Sequence, residues 1–179
     1  MVSKKKYIIA SVTLGVIAAT SAGLIGLTNL ITRGPIDKNE KIATRDGICE
    51  IFVTDIVNKE TISYEDVKLE KKYDYVKNAY LVKDNDIQLG YAFKTSGYNS
   101  YGKITLIVGF SQLDHSFLGT SVVEDEQTYA NKLENKYINP LNEGTTEIDN
   151  VYCGATFGAK LVRKMINEAS EAGVELWKE

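Results

Sequence analysis

The chain has 179 residues, 44% of them hydrophobic and 25% charged, with 24 acidic against 21 basic residues and a formal net charge of −3. That composition is globular rather than disordered and suffices for one domain with an appendage. Lys4, Lys5, Lys6 and Arg33 flank one apolar segment and every acidic residue follows them, so the body of the chain is acidic; nucleic-acid binding, which needs a basic footprint, is set aside.

Between Tyr7 and Thr32 there is no charged residue (YIIASVTLGVIAATSAGLIGLTNLIT). About 20 apolar residues span a bilayer core, so a transmembrane helix over 7–32 is expected. Its Gly, Ala, Ser and Thr content suits close helix packing in a membrane, and Gly15, Ala19, Ala22, Gly23 and Gly26 could form such a face. The basic cluster at residues 4–6 orients the N-terminus towards the cytoplasm, which leaves the rest of the chain extracytoplasmic. A cleaved signal peptide ending near Thr20-Ser21-Ala22 is the rival reading, but the apolar run continues beyond it, which favours a retained anchor.

Residues 35–46 read as a short helix or linker. Residues 47–57 (GICEIFVTDIV) read as a strand or a short buried helix, and the charged stretch 58–77 as surface. Four strand-like runs follow, at 78–83, 87–95, 103–111 and 116–124. They are separated by the turn Asp84-Asn85-Asp86, the loop 96–102 and a turn at QLDH, the pattern of an antiparallel meander. Residues 125–139 look helical towards their end, with Pro140 as the stop. Phe157, Leu161, Val162, Met165, Ile166 and Ala169 recur at helical spacing, which predicts a helix over 157–172 with one buried face. A twisted antiparallel sheet covered by helices is an α+β domain.

Chemistry-bearing residues are few. Cys49 and Cys153 could pair outside the cytoplasm, His115 is the sole histidine, and no cluster has metal-ligand spacing. The stretch VYCGATFGAK (151–160) is the most suggestive. Gly154 allows close backbone approach, and Thr156 brings a hydroxyl to the start of the last helix, where free N–H groups and the helix dipole favour an anion such as phosphate. The same features also describe an ordinary capped helix.

CGAT (153–156), just before the terminal helix, resembles the [ST]-G-A-T element of the FMN-binding domain family. That family includes the G-type component of the Rnf electron-transport complex and the C-type component of the sodium-pumping NADH:quinone reductase. Gly90-Tyr91, Gly97-Tyr98 and GKITLIVGF (102–110) resemble its G-Y…G-Y-x-G-x-I-x-L-x-V-G-I run, and VVEDEQTYANKL (122–133) its V-x-E-x-x-E-T-P-G-L-G-D-K-L segment, with Glu126 at the family's glutamate. The single N-terminal anchor is also similar to that of the G-type Rnf component. There are departures. Cys153 stands for Ser or Thr, Asn150 for an aspartate, Phe157-Gly158-Ala159 for x-[TS]-[ST], and Gln127-Thr128-Tyr129-Ala130 lacks the proline and glycine of E-T-P-G.

The resemblance implies FMN joined through its phosphate to Thr156, a phosphoester made by a dedicated flavin transferase. It implies Cys153, Gly154, Ala155, Glu126 and Thr128 as further cofactor-binding residues, and Tyr91, Tyr98, Tyr101, Tyr129 or Tyr152 as a ring-stacking residue. It further implies a membrane-anchored electron carrier working with other membrane subunits of an Rnf-type ion-translocating complex. The organisation expected is a cytoplasmic N-terminus over 1–6, a transmembrane helix over 7–32, a linker and the start of the extracytoplasmic domain over 33–77, and an FMN-binding domain over 78–179. Two alternatives stand beside it: a flavin-free assembly subunit of the same fold, and an anchored sortase-like cysteine transpeptidase built on Cys153, His115 and Arg163.

Overall fold

A computed structural model describes residues 4–54, 56–145 and 154–178. Asp149, Asn150, Tyr152 and Cys153 lie outside the described residues. The chain divides into two compact units, Met1–Ile42 and Ala43–Glu179.

The first unit is the greater part of helix α1, Lys4–Phe52. Among the described residues this is the one helix long and apolar enough to cross a membrane. Within the first unit its large apolar side chains are exposed, with Leu14, Ile25 and Leu30 at 69%, 71% and 79%. Its threonines do not leave hydroxyls bare on that apolar surface. Thr13, Thr20, Thr28 and Thr32 each donate to the carbonyl four residues back, at 2.8–2.9 Å. In hydrocarbon, where water cannot serve as a partner, that back-bonding satisfies the hydroxyl within its own helix.

The second unit is built on a five-stranded antiparallel sheet in chain order: β1 Ile62–Val67, β2 Val76–Asp84, β3 Ile87–Asn99, β4 Gly102–Ser111 and β5 Phe117–Asp125. The expected meander is present with two differences. Residues 96–99, expected in a loop, continue β3, where Gly97 pairs with Ile104 and Asn99 with Gly102. Gly97 lets the covering helix approach closely, since a β-carbon there would stand 2.9 Å from Leu161 Cδ1. The charged stretch 58–77 holds β1. Its edge position is compatible with charge, since Glu65 faces solvent and pairs with Lys83 at 2.9 Å, while Ile62 is buried and Tyr64 meets Tyr80 edge-on.

Both faces of the sheet are covered. On one face lies α4, Thr156–Leu176, whose Val162, Met165 and Ala169 are fully buried in a cluster with Phe93, Leu106 and Val108. This stripe follows the periodicity in the sequence, but Phe157, expected on it, is 59% exposed. Helix α4 also grips the segment before β2 through two carboxylates two turns apart. Glu168 accepts from the N–H groups of Tyr75 and Val76, and Glu175 from those of Glu70 and Lys71 and from the Tyr73 hydroxyl.

On the other face lie the last turns of α1, so GICEIF resolves as a buried helix end. Ile48, Cys49 and Phe52 pack with Tyr80, Val82, Ala92 and Ile107, and Cys49 is a free thiol. Gly109 of β4 lets that helix come close, because a β-carbon there would lie 2.5 Å from Ile51 Cγ2.

After β5 the chain winds through α2 (Ala130–Leu133), a π-helical turn (Glu134–Ile138) and α3 (Asn139–Asn142). Pro140 therefore does not stop the helical path. It sits in the first turn of α3, which follows directly on the π-helical turn. The Asn142 amide bonds both the N–H and the carbonyl of Thr120, which holds this arm to β5.

Candidate functional site

The head of α4, the start of β4 and the segment after β5 enclose a cleft of about 200 Å³. It is lined by Tyr101, Gln127, Tyr129, Leu133 and the run from Gly154 to Gly158. The local chain dictates this arrangement. Gly154 takes φ +69°, a left-handed conformation open to glycine, and turns the backbone into the helix. The N-cap is Ala155, which has no polar side chain, and the helix start carries no side-chain cap. Thr156 is thus the first helical residue, and its hydroxyl is not spent on capping. It lines the cleft, half-buried, with no hydrogen-bond partner among the described residues. The N–H groups of the first turn have no carbonyl four residues back inside the helix, so the head of α4 presents donors and the positive end of its dipole.

Aromatic rings form one wall. Tyr101 contacts Tyr129 at 5.9 Å and Phe157 at 5.6 Å between centroids. Lys132 places its ammonium 5.1 Å from the Tyr129 ring centroid, a cation–π distance, and lies beside Gly154. The small residues after Phe157 have a packing reason. Gly158 abuts Leu133, where a β-carbon on the glycine would stand 2.9 Å from Leu133 Cδ2, and Ala159 is fully buried.

The segment after β5 decides which of its side chains reach the cleft. The Glu126 N–H donates to the Lys103 carbonyl at 2.9 Å and the Thr128 N–H to the Tyr101 carbonyl at 3.1 Å. In such extended pairing, side chains alternate between faces. Glu126 and Thr128 are exposed, and Gln127 between them is 7% exposed and lines the cleft. Sequence reasoning singles out Glu126 and Thr128 and passes over Gln127; the period of two along this segment is the available signal. Asp125 accepts the Gln127 N–H at 2.8 Å, and burial pushes its carboxyl above the usual carboxylate range. Lys103 is held charged by its hydrogen bond to Glu124 at 2.6 Å.

Of the sequence-derived candidates, the structure brings together Gly154, Ala155, Thr156, Tyr101 and Tyr129. Tyr98 is 73% exposed and Tyr91 packs against the core beside Phe93, and neither lines the cleft. His115 stacks on Trp177 at 4.1 Å, beyond the far end of α4. A helix of that length separates it from Thr156 by about 30 Å, so it supplies no base to this cleft.

Residues 1–51 match the family model of the RnfG N-terminal region. The N-terminal part of the chain is therefore similar to RnfG. Curated protein sequences give no significant match to the chain. The matched segment covers nearly all of helix α1, which is long and apolar enough to cross a membrane. The residues that line the cleft belong to the α+β unit and lie outside the matched segment. A flat aromatic ring bearing a phosphate suits the cleft's residues: rings on one wall, an unused hydroxyl and helix-head donors at the base, and a lysine beside them.

Proposed function

We propose that this chain is the G-type component of an Rnf-type, ion-translocating electron-transport complex, and that it carries FMN tethered through a phosphoester to Thr156. The observation that carries the reading is the Thr156 hydroxyl. Thr156 lines the cleft, free of any cap, at the positive end of α4, two residues after the Gly154 that Lys132 abuts. FMN, once bound, supplies the redox chemistry.

The protein's own residues do the rest. The head of α4 and Lys132 neutralise the phosphate, Gly154 and Ala155 let it meet the helix start without a clash, and the Tyr101–Phe157 wall offers a surface for the ring. In this reading the N-terminus is cytoplasmic, the α+β unit is extracytoplasmic, and a flavin transferase makes the ester. A tether suits that side of a membrane, because a dissociated flavin would be lost there. The test is co-production of the full chain with a flavin transferase, followed by a denaturing gel under ultraviolet light. A fluorescent band in the wild type that disappears in Thr156→Ala supports the tether; a dark wild-type band points to the flavin-free assembly subunit.

A further inference from the structure

Gln127 is nearly buried, yet one of its polar atoms is idle. Its backbone N–H donates to Asp125 Oδ1 and its carbonyl accepts from the Ala130 N–H. Its side-chain Nε2 donates to the Gly102 carbonyl at 2.5 Å. The atom facing that carbonyl must be the amide nitrogen, so the orientation of the amide is fixed and Oε1 is directed elsewhere. Oε1 has no hydrogen-bond partner among the described residues. It lies on the Gly158 side, 3.5 Å from where a β-carbon of that residue would be. The oxygen keeps access to solvent from the cleft, so a ligand that displaces that water without offering a donor would leave it unsatisfied. Gln127 lines the same cleft as the aromatic wall.

We infer that Gln127 reads the donor edge of the flat ring held in the cleft, its Oε1 accepting the ring's N–H. This rests on the flavin reading above. Oxidised isoalloxazine has a single ring N–H, in its imide. An amide does both jobs here, whereas a carboxylate cannot donate to the Gly102 carbonyl and an apolar side chain offers no acceptor.

The full chain in detergent, produced without a flavin transferase so that Thr156 is unmodified, is titrated with lumiflavin and with 3-methyllumiflavin, which lacks the imide N–H. The wild type binds lumiflavin about ten-fold more tightly than its methylated analogue, the worth of one well-placed hydrogen bond. In Gln127→Met that preference falls to near one. Should Gln127→Met not fold, Gln127→Glu, which retains an acceptor oxygen, keeps a preference above one. A wild-type preference near one overturns the inference without any variant, as does a preference unchanged in Gln127→Met. Attachment of FMN is read separately by mass. A chain that carries FMN but shows no preference loses Gln127's role and keeps the flavin reading, whereas a chain that neither binds lumiflavin nor accepts FMN loses both.

Discussion

Lys132 lies against Gly154: a β-carbon at that glycine would come within 3.5 Å of Lys132 Cδ and 3.9 Å of its Nζ. The ammonium is therefore beside the turn that leads into Thr156. Substituting Lys132→Met removes the side-chain cation at this point of the cleft wall while keeping most of its apolar length. The rate of flavin attachment by a transferase is expected to fall about ten-fold at low ionic strength, as for loss of a charge-assisted contact to phosphate. The difference should narrow as salt screens the charge. Time-resolved intact mass at two salt concentrations checks both parts.

The grip of α4 on the segment before β2 predicts a pH window. Hydrogen bonds from Tyr73 and from the Glu70 and Lys71 amides hold the Glu175 carboxyl below its usual range. Its contribution is thus fully present above the unfolded carboxylate pKa and fades as pH falls through the lowered folded value. Tyr73 is pushed up to about 12, first by burial and then by its hydrogen bond to Glu175. Its contribution is present below the ordinary tyrosine pKa, near 10, and is lost as pH rises from there towards 12. Amide exchange at Glu70 and Lys71 should accelerate on both sides of that window. In Glu175→Gln the acid limb should vanish and the basal exchange rise.

Gly109→Ala puts a methyl group 2.5 Å from Ile51 Cγ2 and 3.1 Å from Phe52 Cε2, at the face where the last turns of α1 cover the sheet. Neither neighbour has room to retreat, since Phe52 is buried and Ile51 packs against the same cluster. The expected loss of stability is about 1–3 kcal/mol, typical of overpacking. Thermal unfolding of the full chain in detergent measures it. No change in melting temperature would mean that this helix end is not clamped on β4.

Much of this arrangement can be read from the residues, and the rest is hidden for identifiable reasons. The meander and the α4 stripe follow from short-range patterns: short β-branched, apolar runs such as KITLIVGFS bounded by turns, and helical spacing at Leu161, Val162 and Met165. Strand β1 is obscured because an edge strand tolerates charges such as Glu65 and Asp66, which read as surface. Pro140 reads as a stop because a sequence does not reveal that a new helical segment begins there. In the cleft, Gly154, Ala155 and Thr156 are legible through a local motif. Gln127 is not, because its importance depends on a pairing with residues 101–103 that spans some 25 positions. The spacing of Phe157 puts it on the buried stripe, but at this end of α4 the core is met by the small Ala155 and Ala159, and the Phe157 ring turns to Tyr101 instead.

The most direct measurement is the intact mass of the full chain co-produced with a flavin transferase, followed by peptide mapping, for the wild type, Thr156→Ala and Thr156→Ser. A tether at Thr156 requires a wild-type mass increase equal to one FMN less one water, located on the peptide that contains Thr156. Thr156→Ala is expected to stay unmodified, and Thr156→Ser to recover part of the modification through its own hydroxyl. An unmodified wild type, or equal flavin content in Thr156→Ala and the wild type, would contradict it.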